Sequence, residues 1–140
     1  MDEIEVLLDD AAYPPVRAHE EDAGMDLRTP YAVFIPAGGF VSIDTGVHMF
    51  IPNGYYGKLE SKSGLNVKHQ IVSHGGVIDS GYTGSIVAKL YNHSNKGYTF
   101  ERGDKVIQIV IQKCELPTVK IVDDVPETDR GSDGFGSTGK

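Results

Sequence analysis

The residues of this chain best suited to chemistry lie in turns, and the densest set lies near the C-terminus. Gly131, Gly134, Gly136 and Gly139 surround Phe135, Ser137 and Thr138. Glycine lets backbone N–H groups approach phosphate oxygens, and hydroxyls add further donors. An aromatic ring between glycines can stack on a base. The pattern is that of a lid that orders over a nucleotide. The plainer reading of residues 123–140 is a disordered tail, because so polar a segment buries too little apolar surface to order itself. Asp79 stands before Ser80-Gly81 at the end of the apolar pair Val77-Ile78, the usual place of a turn aspartate. Gln108 is a polar residue in an apolar run, and alternation allows it to face outward.

Other features carry less. The five histidines, His19, His48, His69, His74 and His93, show no metal-ligand spacing. The single cysteine, Cys114, allows no internal disulfide, and its apolar surroundings make it a packed thiol. Arg102-Gly103-Asp104 spells a cell-adhesion tripeptide but heads a strand and reads as a turn. A net charge of −7 argues against a nucleic-acid partner. An acidic chain that handles phosphates needs a cation, most simply a divalent one, to offset repulsion. No apolar stretch has membrane-span length, and the N-terminus lacks a signal peptide's order, so the expected compartment is the cytoplasm.

The elements that must position these residues are short strands. A chain of 140 residues with 17 glycines and seven prolines is one domain that turns often. Short apolar or alternating runs predict strands over residues 4–8, 31–35, 40–43, 47–51, 55–59, 70–72, 76–78, 85–91, 98–100, 105–112 and 119–122. Residues 62–68 have room for about a turn of helix. Such spacing is the pattern of a β-sandwich or jelly roll.

Five segments, in order, resemble the motifs of the trimeric dUTPase family, bacterial or phage type. They are Ala23-Gly24-Met25-Asp26-Leu27, Ser61-Lys62-Ser63-Gly64-Leu65, Gly76-Val77-Ile78-Asp79-Ser80-Gly81-Tyr82-Thr83-Gly84, Arg102-Gly103-Asp104-Lys105-Val106-Ile107-Gln108 and Arg130-Gly131-Ser132-Asp133-Gly134-Phe135-Gly136-Ser137-Thr138-Gly139. The resemblance implies an all-β, jelly-roll-like barrel over residues 1–122. Residues 123–140 then form a flexible arm that closes over a neighbouring subunit's active site in a homotrimer. It also implies Mg²⁺-dependent hydrolysis of dUTP to dUMP and pyrophosphate, which limits uracil incorporation into DNA and supplies dUMP for dTMP synthesis.

The resemblance further implies roles. Asp79 is the general base that orients water toward the α-phosphorus and bonds the sugar 3′-hydroxyl. Tyr82 packs on the deoxyribose where a 2′-hydroxyl would project. Gly76, Val77 and Ile78 read uracil through main-chain groups, and Phe135 caps the base. Lys62, Ser63, Gly64, Gln108, Arg130, Ser137 and Thr138 bind phosphates. Ser61-Lys62 stands where the family usually has Pro-Arg, and lysine keeps the charge without the bidentate fork. Asp133 replaces a small residue in the arm. Mg²⁺ is held by phosphates and waters with no direct protein ligand, and Asp26 either supports it from outside that shell or supports the site.

Two other functions compete. A dCTP deaminase of the same fold needs a glutamate roughly where Lys89 stands. A regulatory binding protein of this fold, with a phage or host partner, would not need Asp79, Tyr82 and Phe135 together.

Overall fold

The computed structural model describes residues 1–139. Among the described residues it has eleven strands and one short helix. β1 (Glu5–Leu8) pairs with β5 (Val47–Phe50), and β3 (Val33–Ile35) with β10 (Tyr98–Phe100). β4 (Phe40–Asp44), β9 (Val87–Asn92) and β7 (Ile71–Val72) form a three-stranded sheet. β2 (Gly24–Arg28), β11 (Lys105–Lys113), β6 (Tyr55–Glu60) and β8 (Val77–Ile78) form a four-stranded sheet in that order. Every pairing is antiparallel. The helix α1 (Ser63–His69) falls where a turn of helix is expected, and ends on Gln70 in the left-handed conformation.

Alternation explains which side of each strand is buried. In β9, Ala88, Leu90 and Asn92 point inward while Val87 and Lys89 face out. Leu27, Ile35, Ile43, Ile86, Phe100, Ile107 and Ile109 are fully buried in one core. Burial of each large apolar side chain stabilises the fold by about 1.5–3 kcal/mol relative to exposure.

Two elements depart from the sequence expectation. β2 is a strand that local pattern does not announce, because Gly24-Met25-Asp26-Leu27-Arg28 has no β-branched residue and an acid at its centre. Its neighbours make it one. β11 pairs along one side, and on the other the Asp26 N–H donates to the Val16 carbonyl at 2.8 Å. The expected strand over residues 119–122 is not formed. The last strand ends at Lys113, and Val119 and Ile121 are 87% and 86% exposed. A strand needs a partner for its N–H and C=O groups, and this single chain offers that segment none. No helix among the described residues is long and apolar enough to cross a membrane.

Candidate active site

Asp79 follows β8 at a tight turn, in which the Tyr82 N–H donates to the Asp79 carbonyl at 3.1 Å. Both residues line a pocket of about 280 Å³ with Leu59, Gly75, Gly76 and Ile78. Val77, Ser85, Val87 and Lys89 complete its lining. The Tyr82 hydroxyl donates to the Ser85 carbonyl at 2.7 Å, so the ring is held by its own turn. The Ser85 hydroxyl in turn donates to Asp44. That bond, and then the Gly46 N–H, hold the Asp44 carboxyl below its usual range.

The approach to this pocket is backbone. Gly75 and Gly76 have φ of 90° and 147°, which L side chains rarely adopt. β8 is the edge of its sheet, paired to β6 on one side only. An edge strand leaves a row of N–H and C=O groups free on its open side. Such a row can read the donor and acceptor edge of a base. A larger cavity, about 480 Å³, lies between α1 and the 94–98 turn and contains none of the expected site residues.

A second constellation sits at the other end of β6. Asp26 and Gln108 are partners across β2 and β11, and Gln108 is also opposite Glu60 of β6. Opposed residues share a face, so these side chains converge. The Lys62 ammonium meets Asp26 Oδ1, and the Lys105 ammonium lies 3.2 Å from Asp26 Oδ2. Gln108 Nε2 donates to the Ser61 carbonyl at 2.9 Å and fixes the segment that carries Lys62 and Ser63. Gly24 makes this approach possible: a Cβ there would stand 2.1 Å from Gln108 Oε1. Two ammonium groups share the Asp26 carboxylate, and Glu60 is paired with the Lys58 ammonium at 2.8 Å, which leaves the cluster net positive and suited to phosphate.

Sequence pattern alone assigns Lys105 no role at the site. Strict alternation puts it on the face opposite Gln108, three residues on. A register shift between Lys105 and Ile107 breaks the alternation and pairs Lys105 with Arg28, on the Asp26 side.

The chain does not bring the two constellations together. Ile78 is opposite Gly57, so Asp79 lies beyond the Gly57 end of that pairing. From Gly57 to Glu60 is three strand rises, roughly 10 Å, and Lys62 lies further out in the opposite direction. The arm reaches neither. The hydrogen bonds of Arg130, Gly131 and Ser137 stay within it, the Arg130 Nε to the Asp133 carbonyl at 2.8 Å among them. The Phe135 ring is fully exposed.

An all-β chain with a carboxylate–tyrosine pocket, a basic cluster and a glycine-rich arm has the parts of a nucleotide hydrolase. The family model described as dUTPase matches residues 10–139. The chain belongs to the dUTPase family. It is 39% identical over 130 residues to the deoxyuridine 5′-triphosphate nucleotidohydrolase of Paramecium bursaria Chlorella virus 1, covering 93% of this chain and 92% of the relative. It is 39% identical over 132 residues to that of Arabidopsis thaliana, covering 94% and 80%. Among solved structures, it resembles a variant of the Staphylococcus bacteriophage 80alpha dUTPase with dUpNHpp, at TM-score 0.92 and 28% identity over all of both chains. It also resembles a variant of the phage phi11 dUTPase of S. aureus, whose structure details the coordination of a structural Mg(II) ion. The TM-score there is 0.82 at 29% identity, over 88% of this chain and 98% of that one.

Proposed function

We propose that this chain hydrolyses dUTP to dUMP and pyrophosphate in a homotrimer, with the Asp79 pocket of one copy facing the Lys62–Lys105 cluster of another. Membership of the dUTPase family carries the activity. The placement of Asp79 and Lys62 toward opposite ends of β6 supports the shared site, since one extended nucleotide triphosphate must touch both.

In this reading the open edge of β8 matches the uracil edge through main-chain groups at Gly76, Val77 and Ile78. Tyr82 lies against the deoxyribose, where a ribose 2′-hydroxyl would collide. Asp79 accepts a proton from the attacking water, whose oxygen bonds the α-phosphorus as the bond to the bridging oxygen breaks and pyrophosphate leaves. Lys62 and Lys105 meet the phosphates. Gln108 acts by holding Ser61 and hence the Lys62-Ser63-Gly64 segment. Arg130, Phe135, Ser137 and Thr138 come from the arm of a neighbouring copy, Phe135 over the base and the others at the phosphates.

Mg²⁺ suits this chemistry as a hard cation that keeps its waters and takes phosphate oxygens. Among the described residues, no three metal-ligating side chains converge. In this reading the donor set is the triphosphate with water, and the ion would supply charge neutralisation when bound. Both Asp26 oxygens are engaged by lysines. We therefore assign Asp26 to holding those ammonium groups, which supports the site; each carboxylate oxygen keeps a further lone pair with which it could accept from a metal-bound water.

The test is a substrate comparison with Mg²⁺ present. Pyrophosphate release from dUTP, with little from UTP and no ammonia from dCTP, is the expected result. Ammonia release from dCTP would establish the deaminase instead, although Lys89 in the Asp79 pocket offers no carboxyl to shuttle that proton.

A further inference from the structure

His48 lies on β5, outside all five motif segments, yet it holds the turn that carries Tyr82. Its Nδ1 is 2.8 Å from the Thr83 carbonyl and its Nε2 is 2.9 Å from Asp9 Oδ1. Both partners only accept. A neutral imidazole has one N–H and cannot satisfy both; an imidazolium has two and can. Asp9 is itself fixed, its N–H donating to the Gly46 carbonyl at 2.9 Å. The charged groups that face the ring are Asp9, just after β1, and Asp44, at the end of β4. The Thr83 carbonyl and then Asp9 push the His48 pKa up from its usual value.

We propose that His48, carried as an imidazolium between the Asp9 carboxylate and the Thr83 carbonyl, is a positioning residue that locks the Tyr82 turn, and that the lock opens when the proton is lost. It rests on the reading of Tyr82 as the deoxyribose contact. On deprotonation one nitrogen must present a lone pair to an acceptor. The Asp9 carboxylate is the stronger acceptor and keeps the remaining proton on Nε2, so Nδ1 presents the lone pair and the Thr83 bond parts. Freedom in the turn weakens substrate contact, so KM carries the effect more than kcat.

Asp9→Asn distinguishes this lock from simple packing. An asparagine amide can donate to a neutral Nε2, which leaves Nδ1–H on Thr83 at any pH. The variant should lower the pKa of His48, read by NMR titration without substrate. In wild type, KM for dUTP should rise roughly three- to tenfold as pH climbs past the His48 pKa, the cost of one such bond. Asp9→Asn should remove that rise. His48→Leu should keep KM high across the range, with no inflection from residue 48. An unchanged KM inflection in Asp9→Asn, or wild-type KM in His48→Leu, would overturn the proposal. Tyr82→Ala tests the underlying reading separately: it should lose discrimination between dUTP and UTP while leaving the His48 titration in place. Full retention of that discrimination would sink the sugar contact itself.

Discussion

The Lys62 ammonium rests on Asp26, whose side chain is only 4% exposed, and Lys105 meets the other oxygen of the same carboxylate. A buried charge is tolerable only while it is paired. Lys62→Met leaves the buried Asp26 carboxylate with only the more exposed Lys105 and should cost about 3 kcal/mol in urea denaturation. Lys105 is 40% exposed, so Lys105→Ala should cost less than about 1 kcal/mol. Equal losses would mean that the pair does not anchor β2 to the start of α1.

Gly24 and Gln108 form one unit, because a Cβ on residue 24 would occupy the space of the Gln108 amide. Gly24→Ala should displace that amide from the Ser61 carbonyl and raise KM for dUTP, as Gln108→Ala does. The double variant should be little worse than either alone, since both break the same link. Additive effects in steady-state kinetics would separate the two residues.

Phe135 is fully exposed, and the arm's hydrogen bonds are its own. Deletion of residues 130–140 should therefore move the unfolding free energy by no more than about 0.5 kcal/mol, the scale of a surface change. Turnover of dUTP should fall far more. Parallel loss of stability and turnover would make the arm structural.

Most strands are readable from sequence, because alternation and turn residues mark them locally: 98–100 and 105–112 are found almost as expected. The failures share a cause, dependence on a partner. β2 becomes a strand because β11 and Val16 lie beside it. Residues 119–122 have the alternation and lack the neighbour. Lys105 reaches Asp26 only through a register irregularity that no period-2 rule contains. Asp79 and Tyr82 are legible through the resemblance. That they lie apart from Lys62 follows only from the pairing of β8 with β6.

That separation predicts complementation between inactive chains. Asp79→Asn and Lys62→Glu proteins, unfolded together and reassembled at equal ratio, should recover pyrophosphate release. With random mixing, about a quarter of sites would pair an intact Asp79 with an intact Lys62, one-half times one-half. No recovery would place both residues of a site in one chain.

The central claim is that the Asp79 carboxylate takes the proton of the attacking water. Pyrophosphate release by Asp79→Asn, measured with Mg²⁺ at saturating dUTP alongside dUTP binding by calorimetry, tests it most directly. Loss of at least about a hundredfold in kcat, the scale of a missing general base, with binding retained, is the predicted result. Hydrolysis near the wild-type rate would contradict it.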